Sequence, residues 1–242
     1  MVLIVILELV TRAELVSKDY LPPASEIVGE TVLLFGRSTL WSALGATLRP
    51  CLIGLGLATA VAVPLGLLLG LSTWAHKAAI TIVELLRPIP SVALIPLAII
   101  VWGRGTEMRV ALIVYACVWP ILFNTIYGTH QVDAIAADTA RVFGMSRTRT
   151  TMRVHLPAAA PFIFTGIRIA ASVALILAVS TELLAGGANG LGVQLELARN
   201  FGDLKLSYAF VIVTGLVGLA MHFIFESIER RKFAWTTKVQ SR

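Results

Sequence analysis

The sequence predicts an all-α, polytopic membrane protein with five full spans plus a short or truncated N-terminal first helix. Of its 242 residues, 57% are hydrophobic and 14% are charged, whereas soluble domains average about 25% charged residues. The mean hydropathy is +0.84. Long stretches without charge recur along the chain, and a helix needs about 20 apolar residues to cross a hydrocarbon core. Most of the chain is therefore expected to lie within a lipid bilayer.

Residues 1–44 predict a short N-terminal helix followed by an interfacial segment. The first ten residues are almost entirely apolar, but they reach only half the length of a span and lack the basic region and cleavage site of a signal peptide. Ser25 follows a proline turn and is a candidate helix N-cap. Residues 26–38 mix apolar and polar side chains, which favours a helix lying in the membrane interface.

The membrane core is predicted at residues 45–235, with a cytoplasmic tail at 236–242. Gly66 and Gly70 form a small-xxx-small face suited to close helix contact. A series of prolines predicts a broken second span, which membranes tolerate where protein or a water-filled cavity satisfies the freed backbone groups. The five spans are expected at residues 51–75, 79–102 (with Pro88, Pro90 and Pro96), 110–129, 158–184 and 206–225.

Basic residues predict the side of the membrane on which each loop lies. Residues 129–157 and 230–242 together carry nine Lys and Arg, and cytoplasmic loops are enriched in these residues. Alternating crossings then place the C-terminus in the cytoplasm. The formal charge of +6 follows this pattern rather than a basic soluble face, so we expect no nucleic-acid partner. Membrane lipids are expected partners, because arginines beside a span meet anionic headgroups.

The interval from Asp138 to Pro157 carries the most specific pattern in the chain. It reads Asp138-Thr139-Ala140, then Gly144, then after nine residues Val154-His155-Leu156-Pro157, with apolar spans on both sides. A short helix, a glycine break and a proline-started next helix would form a compact knob on the membrane surface, at about residues 133–157. Such a knob is suited to a groove on a soluble partner.

This spacing resembles the E-A-A-x3-G-x9-I-x-L-P signature of bacterial ATP-binding-cassette importer permeases. Ala140, Gly144, Leu156 and Pro157 match the signature, while Asp, Thr and Val replace Glu, Ala and Ile. Other segments are similar to the permeases of nitrate, sulfonate, taurine and bicarbonate importers, and the resemblance covers essentially residues 20–235. These segments occur, in the order of that subfamily, at residues 21–28, 86–97, 166–170, 181–184 and 190–192.

The resemblance implies a type I importer in the bacterial inner membrane, in which two permease subunits, usually identical, form a pathway along their interface. Each would dock one ATP-binding-cassette ATPase through a cytoplasmic coupling helix, running here from Ala137 to Gly144. A periplasmic or lipid-anchored binding protein would deliver the solute. The residues expected to take part in ATPase coupling are Ala137, Asp138, Thr139, Ala140, Arg141, Gly144, Arg147, Leu156 and Pro157.

Physical chemistry gives several of these residues a role in the coupling helix. Asp138 is expected near the helix start, where the helix dipole favours an acid, and Gly144 is expected to end the helix in a left-handed conformation. Arg141 and Arg147 could pair with acids on the ATPase, or could only hold the topology at lipid headgroups. The chain has no Gly-Lys pair and so lacks a P-loop. We therefore expect no catalytic residue, no cofactor bound by this chain, and ATP used by the partner.

Charges within the spans predict where solute passes, because such residues normally face a partner or a wet cavity. Arg168 has no acid within a helical turn, so it needs a partner on another helix, backbone carbonyls or a place in the pathway. Glu182 could contact solute, gate the mouth, contact the binding protein or cap a neighbouring helix, while Glu84 is expected to pair with Arg87. The expected pathway residues are Arg87, Pro88, Pro90, Arg168, Ser180 and Glu182.

The positive charges and the broken helix favour an anionic solute, without selecting nitrate, a sulfonate or another small molecule. Cys51 and Cys117 are expected to be small buried residues, and no metal site is expected. Two alternatives remain open. An ion-coupled carrier or channel could use only Glu84 and Glu182 as relays. An intramembrane enzyme would have to use histidines that lie near span ends, with no Ser or Asp at a known spacing.

Overall fold

The computed structural model describes residues 8–9, 11–13 and 20–233, except for the side chains of Ala134, Ala137 and Arg141. Every regular element in these ranges is helical. A 3-10 helix and a π-helix interrupt the series at Ser91–Leu94 and Thr151–His155. From residue 20 onward the α-helices are α1 (Ala24–Leu34), α2 (Ser38–Leu71), α3 (Thr73–Leu86), α4 (Ile95–Trp102), α5 (Thr106–His130), α6 (Ala134–Val142), α7 (Arg147–Thr150), α8 (Leu156–Ala185), α9 (Leu191–Asn200) and α10 (Leu204–Lys232).

Within the described ranges, four helices are long and apolar enough to cross a membrane: α2, α5, α10 and the continuous helix Arg147–Ala185 that contains α8. The predicted second span is broken, as expected, and α3 and the segment Ser91–Trp102 are bent by 75°. The break follows from Pro90, which has no N–H to donate to the carbonyl of Leu86. The hydroxyl of Tyr115 donates to that carbonyl oxygen instead, at 2.8 Å.

Helix α5 lies between α2 and α8, and small residues allow the close approach on both sides. Along α2 they recur every fourth position as Gly54, Ala58, Ala62, Gly66 and Gly70. A Cβ atom on Gly66 would lie 2.6 Å from the Thr125 Cβ, and one on Gly54 would lie 2.5 Å from the Ile113 Cγ2. The close contact predicted from Gly66 and Gly70 is therefore confirmed.

The facing side of α8 repeats the pattern. Gly166, Ala170, Ala174 and Ala178 are again four residues apart, and a Cβ atom on Gly166 would lie 2.9 Å from the carbonyl oxygen of Pro120 in α5. Both free cysteines are buried beside this row. Cys117 Sγ lies 3.3 Å from the Ala170 oxygen and Cys51 Sγ lies 3.5 Å from the Ala174 oxygen, so they pack as the small buried residues that were predicted.

The antiparallel helices give the molecule two ends. At the α9 end, α1 and α9 pack over the starts of α2 and α10, and a salt bridge of 2.7 Å joins Lys205 to Glu26. At the α6 end, the His130 Nε2 lies 3.1 Å from the Gly70 oxygen, which joins α5 to the end of α2. A separate apolar cluster holds the α9 end together, formed by Leu34, Leu40, Ala43, Leu191, Ala209, Phe210 and Val213.

The structure corrects two predictions near the N-terminus. Helix α2 begins at Ser38 rather than Cys51, because Leu40 and Ala43 are buried in the cluster at the α9 end. Ser25 is not the N-cap of α1, since Pro23 holds that position. Residues 1–7 and 10 of the predicted first helix lie outside the described residues, while residues 8–9 are helical.

Glu8 takes over the capping role that was predicted for Ser25. Its carboxylate accepts the Ser25 backbone N–H at 3.0 Å and the Ser25 hydroxyl at 2.9 Å, and the Arg12 Nε lies 2.6 Å away. The backbone hydrogen bond from Ser25, followed by the one from Arg12, lowers the pKa of Glu8 to about 2. The first turn of α1 is thus held by an acid from the preceding segment, as a helix N-terminus favours.

Candidate functional site

The knob begins with a helix that is capped by its own flanking residue. Asp133 Oδ1 accepts the backbone N–H of Ile135 at 2.9 Å, and α6 follows from Ala134 to Val142. The predicted start at Ala137 was therefore three residues late. Asp138 lies in the middle of α6 rather than near its start, so the helix-dipole role foreseen for Asp138 belongs to Asp133. An Asp directly before a helix is a known start signal that could have located it.

Gly144 ends α6 in the left-handed conformation that the sequence predicted. Its φ is +71°, a value that most side chains avoid. The backbone N–H of Met145 donates to the carbonyl oxygen of Ala140 at 3.0 Å, and that of Phe143 donates to Thr139 at 3.0 Å. The bond from Met145 is the six-to-one bond of a Schellman motif, which satisfies a terminal carbonyl and reverses the chain.

The knob presents apolar side chains to its surroundings. Ile135, Val142 and Phe143 are 74%, 85% and 81% exposed, and Asp138 and Thr139 are exposed among them, while Ala140 is buried. The side chains of Ala137 and Arg141 lie outside what the structure describes. A short helix at a chain reversal, with three large apolar side chains exposed, has the character of a contact surface for another protein.

The second half of the knob departs from the prediction. Pro157 does not start a new helix, because the helix already begins at Arg147, where the Ser146 hydroxyl accepts the N–H of Arg149. A π-helical turn at Thr151–His155 precedes α8. Pro157 can neither donate to the carbonyl four residues earlier nor fit closely against it, and the wider turn accommodates it within a continuous helix. Arg147 and Pro157 are exposed and Leu156 is half-buried.

The break in the second span opens a cleft of about 660 Å³ between this break, α5 and α8. Arg87, Pro88 and Pro90, three of the expected pathway residues, line this cleft. Arg87 does not pair with Glu84 in the described part of the chain, and its guanidinium lies 4.5 Å from the centroid of the Phe123 ring. The indole Nε1 of Trp119, another lining residue, is buried and has no hydrogen-bond partner among the described residues. The cleft thus carries one positive charge, and the buried indole N–H of Trp119 belongs to a residue of its wall.

Arg168 finds its partner on another helix. Its Nη1 lies 2.6 Å from the Glu229 carboxylate of α10, which also accepts the Thr165 hydroxyl at 3.4 Å. Both side chains of the ion pair are partly buried. Ser180 lies elsewhere, in a cleft of about 470 Å³ between α8 and α10 that Ser172 and Thr214 also line.

Glu182 is fully buried near the end of α8, at the α9 end of the molecule. Its carboxylate accepts the Thr47 hydroxyl at 2.9 and 3.0 Å, Arg109 Nη1 at 3.1 Å and the Gly192 N–H at 2.9 Å. Thr47 in turn accepts the N–H of Leu191 at 2.8 Å. Of the alternatives raised from the sequence, this geometry matches capping of a neighbouring helix, because Leu191 and Gly192 form the first turn of α9. We call Thr47, Arg109, Glu182 and these two backbone groups the Glu182 cluster.

The family model for the binding-protein-dependent transport system inner membrane component matches residues 62–234. The chain belongs to this permease family. It is 33% identical over 189 residues to a putative ABC transporter permease of Methanocaldococcus jannaschii, covering 78% of this chain and 71% of that protein. It is 29% identical over 236 residues to the taurine transport system permease of Escherichia coli, covering 96% of this chain and 86% of that protein.

Other relatives include the nitrate import permease of Synechocystis, which is 31% identical over 73% of this chain and 64% of that protein. Among solved structures, the MetNI methionine ABC transporter in an inward-facing conformation matches with a TM-score of 0.70 at 16% identity, over 80% of this chain and 95% of that one. The permease therefore has the predicted all-α fold of ABC importer permeases, and the resemblance to the nitrate and taurine subfamily is confirmed.

The residues that the sequence singled out in this permease fall into separate places. The knob residues lie together at the α6 end, and Arg87, Pro88 and Pro90 share one cleft, but Arg168, Ser180 and Glu182 each lie apart from it. Several further residues escaped prediction. Trp119 lines the cleft at the broken span. Thr47, Arg109, Tyr115 and Glu229 act through partners far away in sequence, for which a single sequence gives no local signal.

Proposed function

We propose that this permease is the membrane-spanning subunit of an ATP-driven importer for a small anionic solute. Two copies would form the translocation pathway between them, a separate ATPase would supply the energy, and a solute-binding protein would deliver the cargo. The chain itself would carry no ATPase site, because it has no Gly-Lys pair with which to build a P-loop. The C-terminus and the knob would face the cytoplasm, following the basic residues of both segments.

The geometry of the knob is the observation that carries this proposal. A nine-residue helix is capped at one end by Asp133 and is ended by Gly144 in a left-handed conformation. Apolar residues exposed on such a compact projection suit a hydrophobic groove of a soluble partner, as in other helix-in-groove contacts. Phe143 would be the central contact, because buried aromatic anchors dominate most protein interfaces. Arg147 and Arg141 would lie at the polar rim and pair with acids of the ATPase.

The cleft at the broken span supports the choice of an anionic solute. Arg87 lines this cleft and supplies a charge that suits planar or tetrahedral oxyanions. Relatives are named for the transport of taurine, nitrate and bicarbonate. Each of these three solutes carries an anionic group. Arg87, Pro88 and Pro90 would therefore line the pathway, with Ser180 and Arg168 lining it in a later conformation and Glu182 fixing the helices around it.

Reconstitution tests the proposal directly. The permease would be purified with the ATPase and the binding protein encoded beside it and placed in proteoliposomes. Uptake of labelled taurine, nitrate and bicarbonate would be measured with and without ATP. We expect ATP-dependent uptake of one anion only when all components are present. Uptake by the permease alone, driven by an ion gradient, would instead establish an ion-coupled carrier.

Charge selection by the cleft has its own test in the same vesicles. Arg87→Gln removes the charge, whereas Arg87→Lys keeps it. We expect Arg87→Gln to raise the solute concentration for half-maximal uptake by about tenfold or more, the typical value of a lost charge-assisted hydrogen bond, and Arg87→Lys to have a smaller effect. Equal behaviour of both variants and the wild type would remove Arg87 from the pathway.

A further inference from the structure

We propose that the Glu182 cluster is a positioning device that fixes α9 to the core helices, so that α9 moves only together with α2, α5 and α8 during transport. The proposal rests on the proposed importer function, because it concerns how the α9 end of the permease opens. It assigns a role to Thr47, Arg109 and Glu182 that does not require any of them to touch solute.

Four helices converge on one carboxylate in this cluster. Thr47 comes from α2, Arg109 from the first turn of α5 and Glu182 from the last turn of α8, and all three side chains are buried. The start of α9 supplies the remaining partners, through the backbone N–H groups of Leu191 and Gly192. Gly190, the residue at the N-cap of α9, makes no side-chain cap of its own. The core helices therefore provide the capping groups of α9.

The loop before α9 is built directly against the ion pair. Gly187 and Gly190 have φ values of +156° and +153°. A Cβ atom on Gly187 would lie 2.3 Å from Arg109 Nη2, and one on Gly190 would lie 2.3 Å from the Glu182 Cδ. A Cβ atom on Gly192 would lie 2.7 Å from the Val179 oxygen. The backbone at Gly187, Gly190 and Gly192 therefore packs directly against the cluster, with no space for a larger residue at these positions.

Electrostatics makes the attachment close to all-or-none. Arg109 and Glu182 are 8% and 0% exposed in their side chains, and a buried charge that loses its partner is strongly unfavourable. Lifting α9 away would remove two backbone donors from the carboxylate and from Thr47 together. Both carboxylate oxygens of Glu182 accept hydrogen bonds, whereas the Arg109 Nε is buried without a partner among the described residues, so any further loss of a partner from this buried network is costly. The α9 end should therefore open by movement of the whole subunit, not by a hinge in the loop at 186–190.

Substitutions at Thr47 separate the cluster from general folding. Thr47→Val keeps the shape but removes the hydroxyl that links α9 to Glu182, whereas Thr47→Ser keeps the hydroxyl. Glu182→Gln replaces the carboxylate, which only accepts hydrogen bonds, with an amide whose NH2 group would face the donor groups of Thr47, Arg109 and Gly192. Glu196→Gln serves as the matched control, because it breaks an exposed ion pair with Arg199 on α9 itself, 2.7 Å in length.

Two readouts would be taken on the reconstituted importer. A spin label at Phe201→Cys reports the mobility of the end of α9, and one at Leu33→Cys on α1 is the reference, since both side chains are exposed. Solute imported per ATP hydrolysed reports coupling. We expect Thr47→Val and Glu182→Gln to increase mobility at residue 201 alone and to lower the coupling ratio about tenfold, the effect of losing one buried hydrogen bond. Thr47→Ser and Glu196→Gln should behave as wild type.

Unchanged mobility at residue 201 in Thr47→Val, together with an unchanged coupling ratio, would overturn the proposal. Equal increases at residues 201 and 33 would do so too, by showing a general loss of structure. These outcomes differ from failure of the importer function itself, in which the wild-type assembly would show no ATP-dependent uptake while the spin labels still reported on α9.

Discussion

At the scale of single residues, Gly144 sets the geometry of the knob. Its left-handed backbone lets α6 end and the chain turn back toward Ser146, while a Cβ atom there would meet no neighbouring atom within 4 Å. A substitution at this position therefore acts through backbone strain and not through crowding. This makes Gly144 a clean test of whether the shape of the knob matters.

We predict that Gly144→Ala weakens capture of the ATPase without lowering expression of the permease. The left-handed conformation costs a residue with a Cβ about 1–2 kcal/mol, so the Schellman turn should open and the knob should lose its fixed conformation. Co-purification of the ATPase with tagged permease is the measurement. Gly45→Ala in α2, where a Cβ also meets nothing within 4 Å, is the control and should keep the full yield of complex.

Arg168 lies in the middle of a predicted span, and its charge is accommodated by an ion pair with Glu229. The partner lies on α10, 61 residues later in the chain. This distance explains why the sequence left its role open. Because both side chains are only partly buried, the contribution of the pair to stability should lie between those of surface and buried ion pairs.

We predict that Arg168→Met and Glu229→Gln are not additive in their effect on thermal stability. Each single substitution leaves one charge without its partner, whereas the double variant removes both charges and leaves no unpaired charge. A double-mutant cycle on the detergent-purified complex should give a coupling free energy of about 1 kcal/mol, within the range for contacting residues. Strict additivity of the shifts in melting temperature would mean that the pair contributes nothing to stability.

At the scale of helices, the spacing of small residues determines how closely the core packs. The row on α2 approaches α5 so tightly that several positions admit only glycine. In membranes such contacts replace the hydrophobic driving force, since lipid is as apolar as the helix surface. The four-residue spacing was visible in the sequence at Gly66 and Gly70, while the partner helix was not.

We predict that Gly66→Ala destabilises the permease and Gly56→Ala does not. A Cβ atom at residue 66 would lie 2.6 Å from the Thr125 Cβ and 3.1 Å from a backbone oxygen of α5, whereas one at residue 56 meets nothing within 4 Å. Overpacking of this kind costs about 1–3 kcal/mol. Thermal unfolding of both variants in the same detergent distinguishes them, and equal melting temperatures would contradict the packing described above.

Much of the helical arrangement could be predicted because apolar length and proline position are local properties. The break at Pro90 is an example, since a missing N–H acts on the carbonyl four residues earlier. Prediction failed where tertiary contacts decide the outcome. The early start of α2 depends on burial of Leu40 against residues of α9 and α10, and the position of Glu182 depends on Thr47 and Arg109, which are 135 and 73 residues away in the sequence.

At the scale of the whole molecule, the two ends are built differently. The α6 end carries exposed apolar residues on a small projection, while the α9 end is held by a buried ion pair and an apolar cluster. Each end also carries one exposed phenylalanine next to a glycine of positive φ: Phe143 beside Gly144, and Phe201 beside Gly202. These residues form a natural pair for comparing the two surfaces.

We predict that Phe143→Ser abolishes ATP-dependent uptake and Phe201→Ser leaves ATPase assembly intact. Loss of an aromatic anchor at the centre of an interface costs about 2 kcal/mol or more, enough to dissociate a complex at low concentration. Retention of the ATPase after size-exclusion chromatography, followed by uptake in vesicles, is the measurement. A complex that survives Phe143→Ser but is lost in Phe201→Ser would place the ATPase at the opposite end.

The continuous helix Arg147–Ala185 runs from the knob at the α6 end to the α9 end of the molecule. Its 39 residues correspond to about 58 Å at 1.5 Å per residue. A small tilt imposed at Ser146 would therefore be magnified into a displacement of several ångströms beside Glu182. The widened turn at Thr151–His155 lies between the knob and the rest of this rod, so under the proposed importer function these five residues would set how much of a tilt at the knob reaches the α9 end.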